Sequence, residues 1–180
     1  IELVMSKENR LNETPMHILA KNNPEMLKEV MTKMEEETIE LVMSKKDRFN
    51  ETPMHILARE TPEIITEVMR KIGKETIELV MAKKDIFNET PMHILVKNNP
   101  EMLKEVMNGM EKETIELVMS TRGRFDETPM HILAKNNPEM LKEVMKKVEA
   151  ESIKNMIMKL EIRISIGNTS NNIGLVEQHR

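Results

Sequence analysis

Four histidines at a constant spacing are the residues best suited to metal binding or acid–base chemistry in this sequence. They are His17, His55, His93 and His131, each 38 residues after the one before. Imidazole is a common metal ligand and titrates near neutral pH. Stacked helices lie about 8–10 Å apart, whereas a zinc–nitrogen bond measures about 2.0–2.1 Å. Equivalent histidines on neighbouring helices therefore cannot share one ion, and we predict a structural role, with no metal and no cofactor.

Other sequence signatures of chemistry are absent. The chain contains no cysteine, so it has no thiol nucleophile, no disulfide and no cysteine-based metal site. It has no glycine-rich phosphate loop, no His-Glu-x-x-His motif and no nucleophile elbow. We therefore expect a protein that is not an enzyme and has no catalytic residues and no small-molecule substrate.

Each histidine belongs to one repeated segment, Glu-Thr-Pro-Met-His-Ile-Leu, whose constant period is typical of stacked-repeat proteins. Threonine is a good helix N-cap, and proline suits the first helical position because its missing N–H would have no partner there. Thr-Pro therefore predicts the start of a helix. The residues of this structural motif are Thr14, Pro15, His17, Thr52, Pro53, His55, Thr90, Pro91, His93, Thr128, Pro129 and His131.

Two further helices are predicted in each unit, which makes the chain all-α. The second helix starts at Pro24 and runs to about Met34, because Asn23-Pro24 repeats the cap pattern. Its apolar residues share one face, while Lys28 and Glu29 point outward; the apolar residues are Met26, Leu27, Val30, Met31 and Met34. The third helix covers residues 38–43, with Thr38 as its cap.

The segment from Asp47 to His55 resembles the ankyrin pattern D-x-x-G-x-T-P-L-H, and the other three copies resemble it as well. The resemblance implies an ankyrin-like helical repeat solenoid over residues 1–160, followed by a poorly ordered tail over residues 161–180. It also implies that each motif histidine hydrogen-bonds the threonine and the backbone. The chain departs from the family in its period, which is about 33 residues in ankyrin repeats, and in having Asn or Asp at the glycine position.

Two further predictions concern the turn before each Thr-Pro. Asn12, Asn50 and Asn88 stand where the ankyrin pattern has glycine, and asparagine tolerates a positive φ angle better than most residues. Phe49, in the same turn, is predicted to be anchored in the stack beneath it.

The resemblance implies a protein–protein interaction module that binds through its concave face and turn tips. The turns differ between copies and carry a basic row, which favours an acidic partner protein, although a solvated edge is the alternative. The predicted partner-binding residues are Arg10, Lys46, Arg48, Lys84, Ile86, Arg122 and Arg124.

Three other functions stay open. The chain could be the interaction arm of a larger enzyme or channel, or a bacterial effector acting on host proteins. A nucleic-acid binder ranks last, because the net charge is −4 and aromatic residues make up only 2%.

No apolar run approaches the ~18 residues of a membrane span, and no signal peptide is visible. We therefore expect a cytoplasmic protein without a membrane segment. Residues 1–5 match residues 39–43, so the chain starts inside a repeat, and we expect it to be a piece of a longer protein.

Overall fold

A computed structural model describes residues 2–150, and Ile1 and residues 151–180 lie outside the described part. Within residues 2–150 the regular elements are helices and no strand occurs, so the all-α prediction is confirmed. The predicted tail at 161–180 and the last part of the predicted array, 151–160, fall outside the described residues.

We number the units one to four by their Thr-Pro motifs. In the described part of the chain, units one, two and three contribute three short helices each, unit four contributes two, and one further helix precedes unit one. In chain order they are α1 (Glu2–Met5), α2 (Pro15–Asn22), α3 (Pro24–Met31), α4 (Glu36–Ser44), α5 (Pro53–Glu60), α6 (Glu63–Met69), α7 (Lys74–Ala82), α8 (Pro91–Asn98), α9 (Leu103–Asn108), α10 (Lys112–Ser120), α11 (Pro129–Asn136) and α12 (residues 138–150). A 3-10 turn, Pro100–Met102, precedes α9.

The Thr-Pro segments start the first helix of every unit, as predicted. The proline is the first residue of α2, α5, α8 and α11, and the threonine before it has the extended backbone of an N-cap. Asn23 caps α3 by accepting a hydrogen bond from the Met26 backbone N–H at 3.0 Å. The hydroxyls of Thr90 and Thr128 likewise accept from the backbone N–H groups of His93 and His131, at 3.4 and 3.3 Å. Thr14 and Thr52 make no such side-chain bond.

The prediction for the second helix was wrong in two details. The helix ends at Met31 rather than near Met34, because hydrogen bonds from Lys33 N to Val30 O and from Met34 N to Met31 O tighten the chain into a turn. Met26, predicted to be in the core, is 41% exposed, whereas its equivalent Ile64 is 6% exposed. Helix α6, which carries Ile64, packs against α3 of the preceding unit, whereas the described residues contain no second helix before α3.

Lys28 does not point outward as predicted. It lies half-buried between α3 and α6, where its Nζ is 2.6 Å from a Glu25 carboxylate oxygen and 3.0 Å from one of Glu67. Glu67 belongs to the next unit, so this lysine links two units. The sequence of one unit does not reveal this role, because the partner lies in its neighbour.

The third segment is helical, as predicted, but Thr38 is not its cap. Helix α4 begins at Glu36, and Thr38 lies inside it. In the next two units the equivalent hydroxyls donate to carboxylates one unit back: Thr76 to Glu40 at 3.3 Å and Thr114 to Glu78 at 2.9 Å. These threonines join neighbouring units rather than starting a helix.

Equivalent helices of successive units pack side by side through the described chain. The first helices contact in the order α2, α5, α8 and α11, and the third helices in the order α1, α4, α7 and α10. One continuous core results, in which methionines at the same repeat position, Met16, Met54 and Met92, are completely buried. No helix in residues 2–150 is long and apolar enough to cross a membrane.

Candidate protein-binding edge

Three of the four motif histidines, His17, His55 and His93, bind the backbone on both sides of the ring. The backbone N–H of Thr52 donates to His55 Nδ1 at 3.1 Å, and His55 Nε2 lies 3.1 Å from the Glu89 carbonyl oxygen. A carbonyl only accepts, so Nε2 carries the proton and Nδ1 is the acceptor. His17 and His93 make the same contacts with Glu51 and Glu127, at 3.0 and 3.1 Å.

Burial keeps these rings neutral. Desolvation lowers the pKa of His55 to about 4, and the hydrogen bond to the Glu89 carbonyl opposes the shift only in part. Burial also lowers the pKa of His17 and of His93. If Nδ1 were protonated as well, its N–H would point at the backbone N–H of the threonine three residues earlier. Two donors cannot hydrogen-bond to each other. The rings therefore act as neutral connectors between units.

We expect metal removal to leave the fold unchanged. Within residues 2–150 no three His, Cys, Asp or Glu side chains lie together as a metal site would need, and three of the four motif histidines use both ring nitrogens. Thermal melts with and without EDTA should coincide. A drop of several degrees in Tm with the chelator would contradict the structural role.

The turn before each Thr-Pro forms a tip, and the four tips are residues 9–12, 47–50, 85–88 and 123–126. In the second tip, Asp47 Oδ1 accepts hydrogen bonds from the backbone N–H groups of Phe49 and Glu51 at 2.8 and 2.9 Å. Asp85 and Asn9 hold their tips in the same way. These bonds shape a turn in which the asparagines at 12, 50 and 88 have φ angles of 59°, 57° and 62°, as predicted.

The first three tips are joined by their backbones. The Arg48 N–H donates to the Leu11 carbonyl oxygen at 3.0 Å, and the Ile86 N–H donates to the Phe49 carbonyl oxygen at 2.9 Å. Successive tips therefore lie in one row along one edge of the molecule. The variable residues of the turns therefore recur at a regular interval along this edge.

The fourth tip has another conformation, because Gly123 replaces the aspartate. Without the carboxylate acceptor the turn closes as a short 3-10 segment, and both Phe125 and Asp126 have positive φ angles, 58° and 59°. A Cβ atom at residue 123 would come within 2.5 Å of His93 Nε2, so this backbone path requires glycine. The result is a tip that projects Phe125 into solvent, 81% exposed.

The prediction that Phe49 is anchored beneath the turn was wrong. Phe49 is 43% exposed and its equivalent Phe87 is 51% exposed. The Arg48 guanidinium lies over the Phe49 ring at 4.5 Å, and Arg124 lies over Phe125 at 4.7 Å and over Phe87 at 5.5 Å. Together Arg48, Phe49, Ile86, Phe87, Arg124 and Phe125 form an exposed Arg–Phe row along the tips.

The predicted basic residues lie on or near this edge, but not all are free to meet a partner. Lys46 Nζ donates to the Lys84 carbonyl oxygen at 2.7 Å and so connects two units. Arg122 Nη1 lies 3.8 Å from Asp126. Arg10, in the first tip, is exposed. Of these three residues, Lys46 is engaged within the fold, whereas Arg122 and Arg10 are exposed.

A groove of about 380 Å³ runs between the second and third tips and the first helices of the same units. Its floor includes Ile94, and its rim carries two ion pairs, Arg59 with Glu51 and Lys97 with Glu89. The groove opens beside the Arg–Phe row. The edge thus combines apolar rings, guanidinium groups and paired charges on one surface.

Sequence reasoning missed the phenylalanines and the rim ion pairs. One signal was available: each phenylalanine stands inside a polar turn, between Arg or Ile and Asn or Asp, with no apolar neighbour at helical spacing. The ion pairs span eight residues across a turn and a helix, a separation that no helical pair rule predicts.

Comparison with models of known protein families gives no match, and comparison with curated proteins finds no significant relative. The inference about function therefore depends on the surface of this chain.

Proposed function

We propose that the chain is an ankyrin-like repeat solenoid that acts as a protein–protein interaction module and carries no catalytic site. The observation that carries this proposal is the exposed Arg–Phe row along the tips. Aromatic residues and arginine are enriched where binding energy concentrates in protein interfaces. A monomeric protein gains nothing from exposing rings at three equivalent positions, whereas a partner could cover all of them.

The regular contacts between units support the solenoid part of the proposal. The same histidine-to-carbonyl bond joins units one and two, two and three, and three and four. Each unit contacts its neighbours through equivalent helices, as in a linear array whose stability is a sum of units and interfaces. Such an array presents its tips as an extended surface.

The partner is proposed to be another protein with apolar side chains and acidic groups. Arg48 and Arg124 lie over aromatic rings, which leaves their edges available for carboxylates. The apolar side chains would cover the rings of Phe49, Phe87 and Phe125 and enter the groove beside them. Apolar side chains and carboxylates along the whole row are groups that a segment of another protein would offer, rather than a small molecule.

We expect that changing Phe49, Phe87 and Phe125 together to Ser abolishes the binding of partner proteins while leaving the fold of the chain intact. Exposed substitutions usually alter stability by about 0.5 kcal/mol or less each. A matched control exists, because Leu41, Leu79 and Leu117 are also exposed, at 39%, 37% and 45%, on the third helices. Leucine is under-represented among the residues that dominate interfaces.

The measurement is affinity capture from a cell extract with the wild-type chain and both triple variants, followed by quantitative mass spectrometry. Proteins retained by the wild type and by the leucine variant, but lost from the phenylalanine variant, are the expected result. If the leucine variant loses them and the phenylalanine variant retains them, the binding face has been assigned to the wrong side.

A further inference from the structure

The exposed apolar side chains of the tips recur once per unit. Leu11, Phe49, Phe87 and Phe125 occupy one repeat position, and they are 38%, 43%, 51% and 81% exposed. The first helices beneath the tips pack side by side, and stacked helices lie about 8–10 Å apart. A segment bound along the tips therefore meets one apolar side chain about every 8–10 Å.

This interval favours one backbone conformation for the bound segment. A polyproline II helix has three residues per turn and rises about 3.1 Å per residue, so the same face recurs about every 9.3 Å. A β-strand presents the same face about every 6.6–6.8 Å and falls out of register with the tips. An α-helix presents one face about every 5.4 Å, so only every second turn would meet a tip. The polyproline II helix alone places one residue on each tip at every turn.

The two arginines of the Arg–Phe row favour the same conformation. Arg48 and Arg124 are exposed and lie over aromatic rings, and neither contacts a carboxylate in the part of the chain that the structure describes. Each guanidinium carries five N–H donors. A polyproline II segment makes no internal hydrogen bonds, so all its carbonyl oxygens can accept from these donors. An α-helix offers free carbonyl oxygens only in its last turn.

The groove between the second and third tips has a suitable lining for proline rings. Its apolar residues come from two neighbouring units and are Phe49, Ile86, Phe87 and Ile94. Proline-rich segments dock in aromatic-lined grooves of this kind. The cations on its rim, Arg59 and Lys97, already pair with carboxylates of this chain. Carboxylates of a bound segment would therefore be attracted to Arg48 and Arg124.

The tips also predict how far apart those carboxylates lie. The second and fourth tips carry Arg48 and Arg124, whereas Ile86 occupies the same position in the third tip. The free positive charges are therefore two units apart, which corresponds to two turns of a polyproline II helix, or six residues. The residue midway between the two carboxylates would face Ile86 and should be apolar.

We propose that the Arg–Phe row and its groove bind a proline-rich segment of another protein in the polyproline II conformation. One face of the segment places an apolar residue on the tips at every third position. A second face carries two acidic residues six positions apart, opposite Arg48 and Arg124, with an apolar residue midway. This inference rests on the interaction function proposed above, since it names the kind of segment that the same edge binds.

The test uses two synthetic peptides and NMR titration of the full 180-residue chain. The first peptide is Pro-Pro-Glu-Pro-Pro-Val-Pro-Pro-Glu-Pro-Pro. In the second, the second Glu and the Pro after it are exchanged, which keeps the composition but turns that carboxylate by about 120°. We expect the first peptide to bind about two- to fivefold more tightly, and to shift the signals of the second, third and fourth tips.

Variants of the chain then test the contacts one by one. Phe87→Ser removes the middle ring and should raise the dissociation constant of the first peptide about five- to tenfold. Leu79→Ser is the matched control, because Leu79 is also exposed, at 37%, but lies on a third helix. It should bind like the wild type. The chain with Arg48→Glu and Arg124→Glu should prefer a peptide in which Lys replaces both Glu residues.

The inference is overturned if neither peptide binds, if both bind equally, or if Phe87→Ser and Leu79→Ser weaken binding equally. The capture experiment described above tests the interaction function separately, because it uses whole proteins of any conformation. Partners lost from the phenylalanine variant, together with peptides that do not bind, would overturn only the conformation assigned to the bound segment. Failure of both experiments would overturn the proposed function as well.

Discussion

Leu57→Ala and Leu95→Ala should each lower the free energy of unfolding by about 2–5 kcal/mol, the usual loss for a buried leucine. Both side chains are completely buried, because each is packed between its own unit and the preceding one. Leu19→Ala at the equivalent position should cost less, since Leu19 is only partly buried. The array is thus expected to be more sensitive at its inner units than at its N-terminal end.

The structure adds an asymmetry that was not expected from the sequence. Leu133 belongs to the last described unit, yet it is completely buried, because this position faces the preceding unit and not the following one. Leu133→Ala should therefore resemble Leu57→Ala. The measurement is the free energy of unfolding in urea for the wild type and each variant. Equal losses at Leu19, Leu57, Leu95 and Leu133 would falsify the arrangement of stacked units.

Lowering the pH from neutral towards 4 should destabilise the protein through its buried histidines. The pKa of His55 falls from 6.5 to about 4 on folding, chiefly through burial. Because the folded pKa is depressed, the unfolded chain binds more protons between these two values, and stability rises with pH. The contribution is complete above pH 6.5 and is lost progressively as the pH falls towards 4. It amounts to about 3 kcal/mol for His55.

His17 and His93 act in the same direction, since burial lowers the pKa of both. The free energy of unfolding measured at several pH values should therefore fall steeply below pH 6.5. His55→Gln should flatten this dependence, and His131→Gln serves as the control because His131 is exposed. An NMR titration of the His55 ring provides a second readout in the wild type. A ring that protonates near pH 6.5 in the folded protein would contradict the prediction.

The helices and their starts could be read from the sequence, because their causes are local. In the four copies of the motif, threonine before proline marks the residue at which the first helix begins, and the asparagine turns need only a residue that tolerates positive φ. The starts of the first helices and of α3 at Pro24 follow from such signals.

Contacts between units were decided by the tertiary structure. Thr76 was expected to cap a helix like Thr38, but it donates to Glu40 of the preceding unit; Lys28 was expected to face solvent, but it pairs with Glu67 of the next. These partners are 36 and 39 residues away in the sequence, beyond the reach of any local pattern. Only the packing of one unit on another brings them together.

The candidate binding edge shows the same division. The sequence determined that the turns vary, that they carry positive charge and that a phenylalanine recurs in three of them. It did not determine that the rings are exposed, because an apolar residue in a turn can fold under it or lie on top of it. That choice depends on the tip-to-tip hydrogen bonds, which join the backbone of each turn to the next. Gly123 further projects Phe125 outward, because losing one carboxylate acceptor alters the path of the whole turn.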